Sequence, residues 1–357
     1  MELILKEQDL INTYNKPQQE QCRLYCGYKQ IKQTNQTFGY KRIAKLLGQP
    51  YYKTRWGHAN KYKPVPIQTV EWLKDKRLLP FSAENPKIRI IARVLGSLFG
   101  DGCIDINHNM IFFSSSELAS LESFKRDLIE IFGPEILSNF DIRKGGINNT
   151  SFCIRNTNRK VIRFFKALGA PVGNKTTLKL NVPYWILKEM KLQDLFFGSL
   201  FGNEIGIPKI NIKNKGADSL DIGFVCKKSV FGDRINFLKS IQNYLQLKGI
   251  YSKSIYVSNH KTNNKLLVRL AINLNFDNLM NFHKNIDIYY SNKKIEKLEK
   301  TMNNLIGLKN RRFHELSNKE NKLTGRFYSK EWIKNNLRLT DKSLNFILSN
   351  KSIEEWN

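Results

Sequence analysis

The pentapeptide Gly-Ser-Leu-Phe-Gly occurs twice, at 96–100 and at 198–202. Asp101 follows the first copy directly, and Glu204 follows the second after Asn203. Each copy closes an apolar, helix-like stretch, IRIIARVLGSLFG and LQDLFFGSLFG. Residues four apart share one helix face, and a glycine inside a helix costs about 1 kcal/mol against alanine. Close approach of a second backbone offsets that cost, and the simplest partner for one notched helix is the other. Two such helices crossing in parallel bring their C-terminal ends together, and Asp101 and Glu204 with them. Carboxylates there face the unfavourable end of each helix dipole and repel one another; divalent cations relieve both. The expectation is therefore a helix interface of Gly96, Gly100, Gly198, Ser199 and Gly202, with Asp101 and Glu204 as candidate metal ligands. Paired acids holding metal ions suit phosphodiester hydrolysis, in which the metal activates water and stabilises the leaving oxygen. A plainly structural pair of core helices is the alternative.

The surrounding pattern reads as an internal duplication of about a hundred residues. After the first helix come strands DGCIDI and MIFFSSS around Asn107-His108-Asn109. A helix follows with Leu118, Leu121, Phe124, Leu128 and Ile131 on one side and Ser116 as its N-cap. FDIRKGG and TSFCIRN read as strands and NRKVIRFFKALG as a helix, giving the order α-β-β-α-β-β-α. The second stretch repeats that order, with PKINIKN, DSLDIGFVC, YSKSIYVSN and LLVRLAINL as strands. The fold class expected is α+β, in four units: 1–85 helical, 86–188 and 189–307 the two halves, and 308–357 a helical extension. Within the first unit, a short helix with Ile43, Ala44, Leu46 and Leu47 on its apolar face breaks at Gly48-Gln49-Pro50. A second helix then carries Tyr51, Tyr52, Lys53, Arg55 and Trp56. This is a helix-turn-helix plan, or else a simple helical hairpin.

Charge narrows the partner. Lys and Arg number 59 against 31 Asp and Glu, a net +28. With Tyr and Phe interleaved, this favours nucleic acid over a membrane surface. No apolar run of 18 residues and no signal-peptide core is present, so the expected location is cytoplasmic or otherwise intracellular. Five cysteines give no disulfide framework, and Cys22 and Cys26 lack the second pair that a zinc site needs. The histidines form no nuclease-like cluster, and no GxxxxGK[ST] run exists.

VLGSLFGDG and FGSLFGNEI resemble the two signature motifs of the single-chain LAGLIDADG homing endonucleases, a likeness that covers residues 88 to about 300. The second motif fits when aligned on its acid, which puts Ser199 where glycine is usual and Ile205 at the closing glycine. The resemblance implies two pseudo-symmetric αββαββα halves whose four-stranded antiparallel sheets lie in the DNA major groove. It implies metal binding by Asp101 and Glu204, with Mg2+ or another divalent cation such as Mn2+ as cofactor. It also implies a lysine near the catalytic water, drawn from Lys175 or Lys179 in the first half and from Lys293 or Lys294 in the second. Candidate DNA contacts on the strands are Asn107, Arg143, Lys144, Arg155, Lys209, Lys213, Lys253, Tyr256, Lys261, Lys265 and Arg269, joined by Lys53 and Arg55 of the helix-turn-helix. The implied function is site-specific cleavage of double-stranded DNA at a long, non-palindromic site by a monomer. An inactive transcription regulator or an intron RNA maturase on the same scaffold are the alternatives. The sequence shows no splice-junction residues at its ends, so an intein is not expected.

Overall fold

The computed structural model describes residues 2–59, 62–145, 150–211, 216–261, 264–321, 324, 326–349 and 353–356. The chain opens with β1 (Leu3–Leu5), α1 (Glu7–Ile11), α2 (Lys16–Thr34), α3 (Tyr40–Leu46), α4 (Tyr51–Ala59), α5 (Val65–Asp75) and β2 (Phe81–Ser82). Strand β1 pairs with β2, so the N-terminus returns to the doorstep of the first notched helix. This unit is docked rather than strung out. Trp72 of α5 stacks on Phe132 at 5.6 Å, Arg163 lies over the Tyr14 ring at 4.4 Å, and Lys166 donates to the Thr13 carbonyl at 3.1 Å. Helices α3 and α4 pack together across the turn at Gly48, whose φ of +61° suits glycine. Ile43 and Ala44 form the buried face of α3, whereas Leu46 is 60% exposed and does not join it.

The first half follows the expected order: α6 (Ile88–Phe99), β3 (Gly102–Ile104), β4 (Ile111–Ser115), α7 (Leu118–Phe132), β5 (Phe140–Gly145), β6 (Ser151–Asn156) and α8 (Arg159–Ala167). Its four antiparallel strands run β3-β4-β6-β5. Ile111, Phe113 and Ile154 alternate onto the core face and meet Leu121, Phe124 and Leu128 of α7. Leu118 is exposed, and Glu117 rather than Ser116 precedes the helix. Asn158 caps α8 by accepting from Lys160 N and Val161 N.

The second half departs from the pattern. After α9 (Tyr184–Leu187) come α10 (Met190–Glu204), β7 (Lys209–Asn211), β8 (Gly216–Asp218), β9 (Asp221–Lys227), α11 (Phe231–Leu247), β10 (Tyr256–Asn259), β11 (Lys265–Ala271) and α12 (Phe276–Asn285). The sheet has three strands, β10-β11-β9, and β7-β8 form a separate hairpin. A fourth strand like β3 is reduced to one bond, Gly206 N to Asp221 O at 2.9 Å. Pro208 follows at once and cannot donate to a ladder. The chain then runs through α13 (Asn292–Ser317), unbroken across position 308, to α14 (Lys330–Asn336) and α15 (Asp341–Leu348). Trp356 closes this end, buried between Phe276 and Phe346. No helix among the described residues is long and apolar enough to cross a membrane.

Candidate active site and nucleic-acid face

Helices α6 and α10 make the most extensive contact between any two elements. The notches explain how. A Cβ built on Gly96 would lie 2.1 Å from the Phe196 carbonyl oxygen, and one on Gly100 would lie 2.6 Å from Asn203 Cβ. The glycines of α10 do something else. A Cβ on Gly198 would lie 2.3 Å from Asp287 O, and one on Gly202 would lie 1.8 Å from Tyr289 O. So Gly198 and Gly202 do not belong to the α6–α10 interface; they admit the 287–289 segment on another side of α10. Ser199 and Asn203 occupy the neighbouring stripe, and Asn203 Nδ2 returns a bond to Ser199 O at 2.9 Å. The two identical pentapeptides are thus displaced by one residue in space. A helix flanked by two close neighbours needs small residues on two stripes, whereas α6 needs them on one.

The C-terminal ends meet as expected. Gly100 faces Asn203, and the residue that follows each of them is the acid. Two lysines close over this point with the same geometry. Lys175 Nζ donates to the Gly100 carbonyl, and Lys294 Nζ donates to the Asn203 carbonyl at 2.6 Å and to Phe201 O at 3.5 Å. Each lysine binds the carbonyl just before an acid, which makes Asp101 and Glu204 equivalent and supports alignment on the acids. The structure brings Asp101, Glu204, Lys175 and Lys294 together. Lys179 and Lys293 are exposed and take no part in this cluster.

The electrostatics reflect crowding. Burial raises the Glu204 carboxyl to about 7, the negative charge of Asp101 adds to this, and Lys175, Lys294 and Arg234 oppose it. Burial likewise raises Asp101 against the pull of both lysines. Asp101 remains open to water while protein crowds it on several sides. Burial lowers Lys175 and Lys294, and the two carboxylates partly restore each. Two like charges held where each resists ionisation fit a cation. Among the described residues no three His, Cys, Asp or Glu side chains are grouped to hold a metal by themselves. Mg2+ is commonly held by one or two carboxylates with waters and substrate phosphates, so the donor set present suits it. Cys22 and Cys26 are free, the first buried and the second exposed, and among the described residues no further metal ligand groups with them.

The sheets turn their helix-free faces outward. Strand alternation places Cys103, Phe112, Arg155, Asp141, Ser114, Cys153 and Arg143 on that face of the first sheet. Lys144 is exposed but has the opposite parity, at the edge, so it points away from Arg143. On the second sheet Tyr256, Arg269, Lys265 and Lys227 share the open face, and Arg269 donates to Asp221 at 3.0 Å. Lys227 and Lys265 stand directly opposite one another, a pairing that is unfavourable without an anion between them. Lys253 bonds Ala271 O through its backbone and is exposed. Asn107 lies exposed in the β3–β4 turn and Lys261 in the turn after β10, while Lys209 sits on the separate hairpin opposite Asp218. Lys53 and Arg55 are exposed on α4. Lys213 lies outside the described residues.

Sequence reasoning passed over Arg234, Lys227 and Glu117. Arg234 carried a signal, being a charge on the apolar stripe of α11 shared by Phe237, Leu238 and Ile241. Lys227 was legible only once the register of β9 and β11 was known.

No family model matches the chain. Curated relatives match parts of themselves. The DNA-directed RNA polymerase subunit Rpo1N of Methanocaldococcus jannaschii is 29% identical over 194 residues, 51% of this chain and 14% of that one. The tRNA-splicing ligase RtcB of Pyrococcus abyssi is 29% identical over 248 residues, 65% of this chain and 26% of its own. The replication factor C small subunit of M. jannaschii is 25% identical over 225 residues, 60% and 12%. The chain spans about a quarter or less of the length of these relatives. Among solved structures, mesophilic variants of the homing endonuclease I-DmoI match with a TM-score of 0.39 and 17% identity, covering 60% of this chain and 98% of theirs. The homing endonuclease I-WcaI bound to its DNA recognition sequence matches with a TM-score of 0.35 and 14% identity, covering 64% and 96%. I-DmoI has been solved in complex with DNA and Mn. Both neighbours are homing endonucleases.

Proposed function

We propose that this chain is a site-specific, double-strand DNA endonuclease of the LAGLIDADG type, acting as a monomer with Mg2+ or Mn2+ held by Asp101 and Glu204. The observation that carries the reading is the paired geometry at the helix ends, where Lys175 and Lys294 each bind the carbonyl preceding an acid. A divalent cation on the two carboxylates supplies activation of water and charge neutralisation at the phosphodiester. The chain's own groups do the rest. The lysines balance the carboxylates and direct ammonium groups toward the place where phosphate charge develops. The open sheet faces, with Arg143, Arg155, Tyr256, Lys265 and Arg269, lie along the duplex, and basic forks suit guanine edges and phosphates. Lys53 and Arg55 of α4 extend the contact. One chain carries two acids on two halves, so both strands are met without dimerisation and the site need not be a palindrome.

The relatives support a second feature. An RNA polymerase subunit, a tRNA-splicing ligase and a replication factor C subunit carry different names, yet each matches this chain over a small part of its own length. A portable module inserted into unrelated hosts leaves that pattern. Carriage inside inteins would produce it, which counts against setting inteins aside because of the sequence ends.

The test is cleavage of a supercoiled plasmid library with randomised inserts in Mg2+, with cut ends sequenced. Wild type should linearise a narrow set of sites, and Asp101→Asn should bind those sites within a few-fold and cut none. A wild type that binds a defined duplex tightly and never nicks it would leave a DNA-binding regulator. Preference for a folded intron RNA over duplex DNA would leave a maturase.

A further inference from the structure

Each site lysine is held by a residue from the opposite half. Lys294 lies in the first turn of α13, which has no side-chain cap from Ser291. The cap comes from the first half, where Glu117 Oε1 accepts from Ser291 Oγ at 2.8 Å and Oε2 accepts from Lys293 N at 3.1 Å. A carboxylate on the free N–H groups of a helix start gains both a charged hydrogen bond and the dipole. Glu117 directly precedes α7 and makes no side-chain cap for that helix; its carboxylate is committed across the molecule. Lys175 has a matching brace. Its carbonyl accepts from Arg234 Nη2 at 2.7 Å, and Arg234 comes from α11 of the second half. Arg234 is 1% exposed, with its guanidinium 5.5 Å from the centre of the Phe224 ring. A charge so placed is costly unless bonded; besides a bond to the Cys226 side chain, it donates to the backbone of a site lysine. Helices α7 and α11 hold the same place in their two halves.

We infer that Glu117 and Arg234 are positioning residues that reach across the pseudo-two-fold, Glu117 setting Lys294 and Arg234 setting Lys175, so that neither half-site is complete without the other half. This rests on the nuclease reading above. The test uses the full chain and a duplex with each strand labelled separately. Glu117→Ala should slow cleavage of one strand by about tenfold or more, the scale seen when outer-shell partners are lost. The other strand should keep its rate, and DNA affinity and melting temperature should stay near wild type. Glu117→Gln keeps an acceptor for Ser291 Oγ and should restore part of the lost rate. Arg234→Lys should slow the opposite strand. Equal slowing of both strands in Glu117→Ala, without rescue by Gln, overturns the inference. If wild type cuts nothing, the nuclease reading fails by itself, and the crystal structure of Glu117→Ala still decides the positioning. Lys294 Nζ should leave Asn203 O while Lys175 stays on Gly100 O, and an undisturbed Lys294 refutes it.

Discussion

Glu204 sits where its charge is unwelcome, and that has a measurable consequence at the scale of one residue. Its carboxyl is raised from the usual 4.5 to about 7, first by burial and then by Asp101. A carboxyl whose folded value exceeds its unfolded value binds more protons when folded, so stability falls as pH rises between those values. Below 4.5 the penalty is absent, and above about 7 it is complete. In metal-free protein, Glu204→Gln should therefore raise the melting temperature at pH 8 and have little effect at pH 4.5. The gain should be roughly 1–2 °C for each kcal/mol recovered in a chain of this length. Calorimetry at the two pH values checks this, and a larger gain at the lower pH would contradict the burial argument. The same crowding that costs stability is what a cation would relieve, so added Mg2+ should shrink the difference between wild type and variant.

At the scale of elements, α10 is held between two neighbours and α6 by one close backbone. Gly96→Ala drives a methyl into the Phe196 carbonyl, and Gly202→Ala drives one into the Tyr289 carbonyl. Backbone oxygens in packed helices have little room to yield, so each variant should lose ~1–3 kcal/mol or more. Gly307 in the middle of α13 is the control. It is exposed, and a Cβ there meets nothing within 4 Å. Gly307→Ala should gain roughly 0.5–1 kcal/mol from helix propensity alone. Denaturant melts of the three variants separate the packing argument from propensity, and a neutral Gly202→Ala would refute the placement of the 287–289 segment. The elements also show why the helix order was legible while the second sheet was not. Alternation and 3.6-residue spacing mark strands and helices one at a time. Whether β7 joins β9 depends on Pro208 and on bonds between residues far apart.

For the whole molecule, the open sheet faces and the exposed side of α4 carry part of the net +28 charge. Binding to duplex DNA should weaken steeply with salt, with log K falling by about 0.9 per phosphate neutralised. Replacing Lys227 and Lys265 together by Ala should reduce that slope by up to about two phosphates' worth and weaken all sequences alike. Arg155→Ala, on the floor of the first sheet, should instead relax preference at one base pair, at a cost of about 1–3 kcal/mol on the favoured site. Fluorescence anisotropy across a salt series distinguishes the two. An unchanged slope for the lysine pair would mean that the second sheet does not follow the backbone. Stacking of Trp72 of α5 on Phe132 of α7, and of Arg163 of α8 over Tyr14, ties the N-terminal unit to the first half. Lys53 and Arg55 are exposed on α4 of that unit, and their removal should also lower the slope.

The sequence alone determined what each short segment could be: two notched helices ending in acids, the alternating strands between them, and a charge balance that selects a polyanion. Those are local properties, set by spacing and composition. The tertiary structure decided which stripe of α10 meets α6, that the pentapeptides are one residue out of step, and that Lys175 and Lys294 rather than Lys179 and Lys293 close over the acids. It also decided that Glu117 and Arg234 brace the opposite half. Each of these is a contact between groups tens to hundreds of residues apart, and such contacts are fixed by how whole faces pack, which no local window of sequence contains.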